Sequence, residues 1–179
     1  MNQKEKEGMI EDASEYNDYL LSKLNRYSVT KEEKLWYESL LNVNGSIMAT
    51  IEIEKIKVNI PIYHGDSEEV LQKGVGHVSA SSLPIGQSTS HCVVMGHRGL
   101  PTARLFTDLD QLEIGDIFSI HIFDEELIYE IDQIKIVLPD NMDDFKFEKD
   151  KDYVTLVTCT PYGVNTHRLL IRGIRIHEK

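Results

Sequence analysis

From Ile51 onward the apolar residues fall at alternate positions in short runs, and the parity of that alternation switches inside runs. A period of two puts successive side chains on opposite faces of an extended strand, so the pattern demands a sheet, and each parity switch demands a turn or a bulge. Ile51 and Ile53 hold one parity and Ile56, Val58, Ile60 and Ile62 the other, which predicts two strands divided at Glu54-Lys55. The same switch between Leu127, Tyr129, Ile131 and Ile134, Ile136, Leu138 predicts a bulge near Asp132-Gln133. Further runs at 91–95, 117–123, 154–160 and 169–176 are separated by turn signals such as Gly86, Gly115-Asp116 and Pro139-Asp140-Asn141. About eight short strands with few helices between them indicate a mainly β fold, a closed or nearly closed and mainly antiparallel barrel.

The first 45 residues follow a helical period instead. Ile10, Ala13, Leu20, Leu21 and Leu24 recur at helical spacing, and Thr30 with Glu33 has the spacing of a capping box opening a second segment through Leu35, Trp36, Leu40 and Leu41. Asn44-Gly45 marks the change, dividing the chain into an N-terminal helical segment, 1–45, and a β-barrel domain, 46–179. Asp66 with Glu69 predicts a cap on a short helix that Gly74 ends. With 19 Lys+Arg against 30 Asp+Glu the net charge is −11, which disfavours binding to nucleic acid or an anionic membrane, since affinity for phosphate backbones is largely cation-driven. No run approaches the roughly 18 consecutive apolar residues of a membrane span, and the first residues lack the apolar stretch of a secretory signal.

One set of residues can do chemistry together. A cysteine nucleophile needs a neighbour that exchanges its proton and a donor for the oxyanion it creates. Cys159 falls near the end of a strand that Pro161-Tyr162-Gly163 must stop, and strand ends at a barrel rim meet solvent and substrate. Nine residues later Arg168 opens the next strand, so a short loop can return its guanidinium beside the sulfur. His97, in Gly96-His97-Arg98-Gly99, directly follows the apolar strand Cys92-Val93-Val94-Met95, where flanking glycines let the backbone turn.

Each of these has a plainer reading. A single cysteine in an apolar strand is more often a small buried hydrophobe, and for mid-strand Cys92 a core thiol is the default; a Cys92–Cys159 disulfide stays open. His64 and His77 also adjoin glycines, His121 reads as a solvent-facing strand residue, and His167 beside Arg168 is a competing acid or base. Arg168, Arg172 and Arg175 have the alternative of being barrel-surface charges. No Cys-x-x-Cys or His-Glu-x-x-His pair offers a zinc site, so no metal and no cofactor is expected. Residues 140–152, with six carboxylates and three lysines, read as a solvated loop without the spacing of a calcium-binding hand. Glycine-rich phosphate loops and the Gly-x-Ser-x-Gly elbow are absent from the sequence.

Longer motifs are more specific. Thr155-Leu156-Val157-Thr158-Cys159-Thr160-Pro161-Tyr162-Gly163, followed by Asn165-Thr166-His167-Arg168-Leu169-Leu170, resembles the active-site strand and loop of sortases, the cysteine transpeptidases of Gram-positive cell surfaces. Gly96-His97-Arg98-Gly99-Leu100-Pro101 with Leu105-Phe106-Thr107-Asp108-Leu109, Ile60-Pro61-Ile62-Tyr63-His64-Gly65 and Leu71-Gln72-Lys73-Gly74-Val75-Gly76-His77 are similar to segments of the pilin-polymerising class C. The resemblance runs from about Gly45 to Ile176 and implies an eight-stranded sortase barrel with a catalytic set of His97, Cys159 and Arg168. It also implies a pilin or surface-protein substrate with a Leu-Pro-X-Thr-Gly-like sorting signal, and as acceptor the lysine of a pilin subunit or, in another sortase class, a peptidoglycan bridge. A barrel-fold binding module with an inert Cys159 is the reading outside the enzymes. The family's usual membrane anchor would place the full-length protein on the extracellular face of the bacterial membrane, with this chain as its soluble ectodomain. Class C members usually carry an N-terminal lid with an Asp-Pro-aromatic motif, yet residues 1–50 contain no proline. Trp36 or Tyr37 is the candidate for a substitute plug, with helix packing the alternative for Trp36.

Overall fold

A computed structural model describes residues 1–43, 45–100 and 103–177; Asn44 and Pro101, both named in the sequence motifs, lie outside the described residues. The strands are β1 (Ile47–Ile53), β2 (Val58–His64), β3 (Val75–His77), β4 (Ser90–Met95), β5 (Ile117–Ile122), β6 (Glu125–Val137), β7 (Asp152–Thr160) and β8 (His167–Ile176). They close into one barrel in the order β1-β2-β3-β4-β7-β8-β6-β5, with β1 paired to β5. Among the described residues the pairings are antiparallel except β2 with β3 and β4 with β7.

The parity switches are the bends of this barrel. Glu54–Ile56 forms a single 3-10 turn and Lys57 takes a left-handed conformation (φ 57°), which reverses the chain and puts Ile51, Ile53, Val58 and Ile62 into one core. In β6 the register against β8 slips between Ile131 and Gln133, the bulge expected there. That slip returns Ile134 and Ile136 to the side of Ile171 and Leu169, their partners across β8. Because β5 pairs only with residues 125–130, its strand does not extend beside this half of β6, and Ile136 remains 63% exposed. Strand β3 is three residues long, too short to show a period, and escapes a reading based on alternation.

Two helices pack on the barrel, α1 (Gln3–Ser22) and α2 (Lys31–Ser39). The start of α1 is a capping box: Asn2 Oδ1 accepts from the Glu5 amide and the Glu5 carboxylate accepts from the Asn2 amide, both at 2.9 Å. At α2 the Thr30 hydroxyl accepts from the Glu33 amide at 3.1 Å, but the Glu33 carboxylate pairs with Lys23 instead of returning to the cap, so the expected box is only half made. Ala13, Tyr16, Leu20 and Tyr37 join the core. Tyr16 donates to the Ser79 carbonyl at 2.6 Å, and Asn17 exchanges hydrogen bonds with the Leu83 backbone, which fastens α1 to the segment between β3 and β4.

Candidate active site

Strands β4 and β7 are buried along almost their whole length, because both of their faces are covered. One face fills the barrel with Val94, Val154 and Leu156. The other carries a second apolar cluster of Val93, Val157 and Leu170, with Val78, Met95, Val137 and Phe145 against it. This outer cluster is the floor of an apolar groove of about 150 Å³, walled by Leu138, Pro139, Met142 and Phe145 from the β6–β7 connection. That connection is therefore a groove wall and not the purely solvated loop its charges suggested; Phe145 packs into the outer cluster.

Arg168 lines this groove, Cys159 is its partner across the β7–β8 ladder, and His97 follows the end of β4, the strand paired to β7. Cys159 and Arg168 are directly opposed in the antiparallel β7–β8 ladder, which puts their side chains on the same face. The parallel β4–β7 ladder pairs Met95 with Val157, and two residues further along each chain stand His97 and Cys159, again on the groove side by alternation. Gly96 carries the ladder past the end of β4: its amide donates to the Val157 carbonyl at 3.0 Å and its carbonyl accepts from the Thr158 hydroxyl at 2.8 Å. A side chain at Gly96 would lie 2.6 Å from Phe106 and 2.7 Å from Val75, so only glycine lets the chain bring His97 down onto the rim. Arg168 lines the groove, its guanidinium donating to the carbonyls of Asn165 and His167 in its own loop, and Cys159 is half-buried.

Three further residues were not singled out from the sequence. Arg98 donates to the Cys159 carbonyl, the Thr160 hydroxyl and the Thr107 carbonyl and pairs with Asp110 at 2.7 Å, tying the histidine loop to the end of β7. Its position inside Gly96-His97-Arg98-Gly99 was the available signal. Tyr27, in the connection between α1 and α2, lines the groove. Glu68 opens α3 (Glu68–Leu71) and its Oε1 lies 3.0 Å from His97 Nε2. The cap of α3 is Ser67, whose hydroxyl accepts from the Val70 amide, and not Asp66.

The other cysteine and histidines are placed elsewhere. Cys92 is buried on the barrel side of β4 opposite Val154, where burial pushes its thiol well up. It stands five residues, roughly 16 Å, from Cys159 along the ladder, so the two remain free thiols. His77 is fully enclosed between the Tyr37 hydroxyl and the Ser82 carbonyl, and burial lowers its pKa to about 4. His91 is lowered to about 4 by burial and by the nearby charges of Arg26 and Arg172. His64 bonds to the carbonyls of Ser46 and Leu40. His167 falls on the opposite face from Arg168 by alternation. Arg172 grips Asp132 through two bonds and Arg175 pairs with Asp152, both as barrel-wall charges. Trp36 packs edge-on against Tyr16 and Tyr37 is buried, bonded to His77 and Gly65, so neither plugs the groove. Among the described residues one group of metal-type ligands converges, Glu52, His121 and Glu126, on strands that carry none of the three candidates; His121 Nε2 lies 3.2 Å from Glu52 Oε1 there.

Residues 51–176 match the family model described as Sortase domain. Sortase D of Bacillus subtilis is 32% identical over 135 residues, 74% of this chain and 65% of that protein, so the chain spans just under two thirds of that relative's length. The crystal structure of sortase C1 from Streptococcus agalactiae superposes with a TM-score of 0.96 at 46% identity, covering 100% of this chain and 93% of that one. That of Clostridium perfringens sortase C, solved with the C-terminal cell wall sorting motif, gives a TM-score of 0.86 at 40% identity over 99% of this chain and 92% of that one.

Proposed function

This chain belongs to the sortase family, the cysteine transpeptidases that act on surface or pilin proteins bearing a sorting signal, and we propose that it is a class C enzyme joining pilin subunits. The observation that carries this reading is the register: Cys159 lies opposite Arg168 on one ladder, His97 and Cys159 each stand two residues beyond the Met95–Val157 pair of the next, and Arg168 lines an apolar groove. An extended Leu-Pro-X-Thr-Gly-like segment suits such a groove, its leucine and proline on the Val93, Val157 and Leu170 floor and its scissile bond at the rim. The sorting motif in the Clostridium perfringens structure supports that class of ligand.

In this mechanism Cys159 Sγ, as thiolate, attacks the threonine carbonyl carbon. The carbon–sulfur bond forms, the threonine–glycine C–N bond breaks, and His97 gives its proton to the departing glycine amine. Arg168 turns from its loop carbonyls to the substrate carbonyl, holding the developing oxyanion with fixed N–H donors. A pilin lysine amine then attacks the thioacyl carbon, His97 accepts its proton, the sulfur leaves and an isopeptide bond remains. In the cell the reaction belongs on the outer face of the membrane; among the described residues no helix is long and apolar enough to cross a membrane. The N-terminal segment is read here as the equivalent of the class C lid region without its usual motif; the support for this is Tyr27, in the connection between α1 and α2, which lines the groove.

The missing motif favours a second reading, anchoring of surface proteins to peptidoglycan. The two part at the acceptor. Given one sorting peptide and two competing acceptors, a lysine-bearing pilin peptide and a peptidoglycan-bridge peptide, the pilin reading expects the isopeptide product to dominate; dominance of the bridge product replaces it with the anchoring reading.

A further inference from the structure

His97 has a partner that the reaction scheme above does not use. Its Nε2 lies 3.0 Å from Glu68 Oε1, and the same oxygen accepts from the Gln72 side-chain amide at 2.6 Å. Those two bonds hold the Glu68 carboxyl below its usual range, Gln72 contributing more than His97, so the carboxylate acts only as an acceptor. The hydrogen between the two residues therefore belongs to Nε2, which leaves Nδ1 as the ring nitrogen free to exchange protons.

Both partners are mounted on the same short piece of sheet. Gly76 of β3 pairs with Met95 of β4, two residues before His97. A side chain at Gly76 would lie 2.1 Å from the Gly65 carbonyl and 3.2 Å from Val70, so α3 rests directly on the β3 backbone. Gly96 is packed as closely on Val75 of the same strand. The charged groups on the surrounding elements include Asp66 and Glu69 beside Glu68, Lys73 before β3, which lies over the Tyr63 ring, Arg98 on the histidine's own loop and Arg168 on β8. Arg98 is committed to Asp110 and to the end of β7, and Arg168 to its loop carbonyls.

The geometry points to Glu68 as the positioning residue of His97: its carboxylate accepts the Nε2–H bond, fixes the tautomer and plane of the ring, and presents Nδ1 to the sulfur and the reacting amines. This gives the site a nucleophile, a base and a group that orients the base, the arrangement general to activated nucleophiles. It rests on the reading of His97 and Cys159 as the reacting pair.

The test uses the full chain labelled with 15N-histidine, the His97 resonances identified by their loss in His97→Gln. Wild type should hold neutral His97 in the Nε2–H tautomer, Glu68→Ala should show a mixture of tautomers, and Glu68→Gln, whose amide oxygen still accepts, should keep the Nε2–H form. Glu68→Ala should also lower kcat for transpeptidation about fivefold, the scale of an exposed ion pair, with KM for the sorting peptide unchanged. Iodoacetamide labelling of Cys159 should slow to a similar degree. An unchanged tautomer in Glu68→Ala overturns the proposal, whatever happens to kcat. If wild type turns over no peptide at all, the tautomer and labelling results still decide the role of Glu68, and it is the sortase reading that falls.

Discussion

His91 and His97 lie on the same face of β4 and its extension, six residues and roughly 20 Å apart, yet they belong to two different kinds of environment. The His91 end of the groove is roofed. Its Nδ1 donates to the Lys146 carbonyl at 3.0 Å, its Nε2 accepts from the Thr155 hydroxyl at 2.6 Å, and Phe145 and Tyr153 pack on the ring. The His97 end is open, and its contact is a carboxylate with a side chain 68% exposed. Cys92 and Cys159 repeat the contrast on the paired strands, one in the barrel core and the other at the rim. Residue type therefore says little about reactivity here; the distance along a strand from the covered middle to the bare end says much more.

The contrast would be broken most visibly by exchanging roles at its two ends. His97→Ala should lower kcat/KM for a sorting peptide by roughly 10³-fold, the usual weight of a general acid–base, with little change in thermal stability. His91→Ala should do the reverse, costing stability through two lost buried hydrogen bonds while kcat/KM of the folded protein stays within about threefold. A large activity loss in His91→Ala with unchanged stability would make the two ends equivalent. At the rim, Arg168→Lys keeps the charge but loses the planar fork, and kcat should fall about 10²-fold. Near wild-type turnover in that variant would remove Arg168 from oxyanion binding.

The covered end makes its own prediction in pH. His77 and His91 titrate near 4 in the folded chain and near 6.5 when unfolded, so between those values the unfolded state binds more protons. Stability is therefore full above about pH 6.5 and falls as pH drops toward 4, by up to about 3 kcal/mol for each histidine. Denaturant unfolding at pH 7 and pH 4.5 should show that loss, and His91→Gln should lose less than wild type across the same interval; equal losses would mean that His91 is not held neutral by its roof. The smallest expected effect is at the groove itself. Tyr27→Ala should lower KM for the sorting peptide about threefold if the ring competes for the groove, and an unchanged KM would make Tyr27 a wall residue only.

The barrel was legible in the sequence because alternation and its parity switches report directly on which face of a strand is covered. The turn at Glu54–Ile56 and the slip at Ile131–Gln133 both stand where the switches placed them. The groove was much less legible. Val93, Val157 and Leu170 lie in strands buried on both faces, and such a strand gives a continuous apolar run with no parity to separate core from groove floor. Phe145 and Met142 were hidden among the charges of the β6–β7 connection, and Glu68 and Tyr27 come from segments far away in the chain that only the folded barrel brings to His97 and to the groove, respectively. His97, Cys159 and Arg168 could be grouped beforehand because all three border strand ends, and that grouping still requires a chemical test.

That test is intact-mass analysis of wild type and Cys159→Ala after incubation with a Leu-Pro-X-Thr-Gly peptide library, with and without an added amine. The expected result is a thioacyl adduct on the wild type alone, mapped to Cys159 and not Cys92, and released as the amide when amine is added. Cleavage or adduct formation by Cys159→Ala, or an adduct at Cys92, would contradict the account.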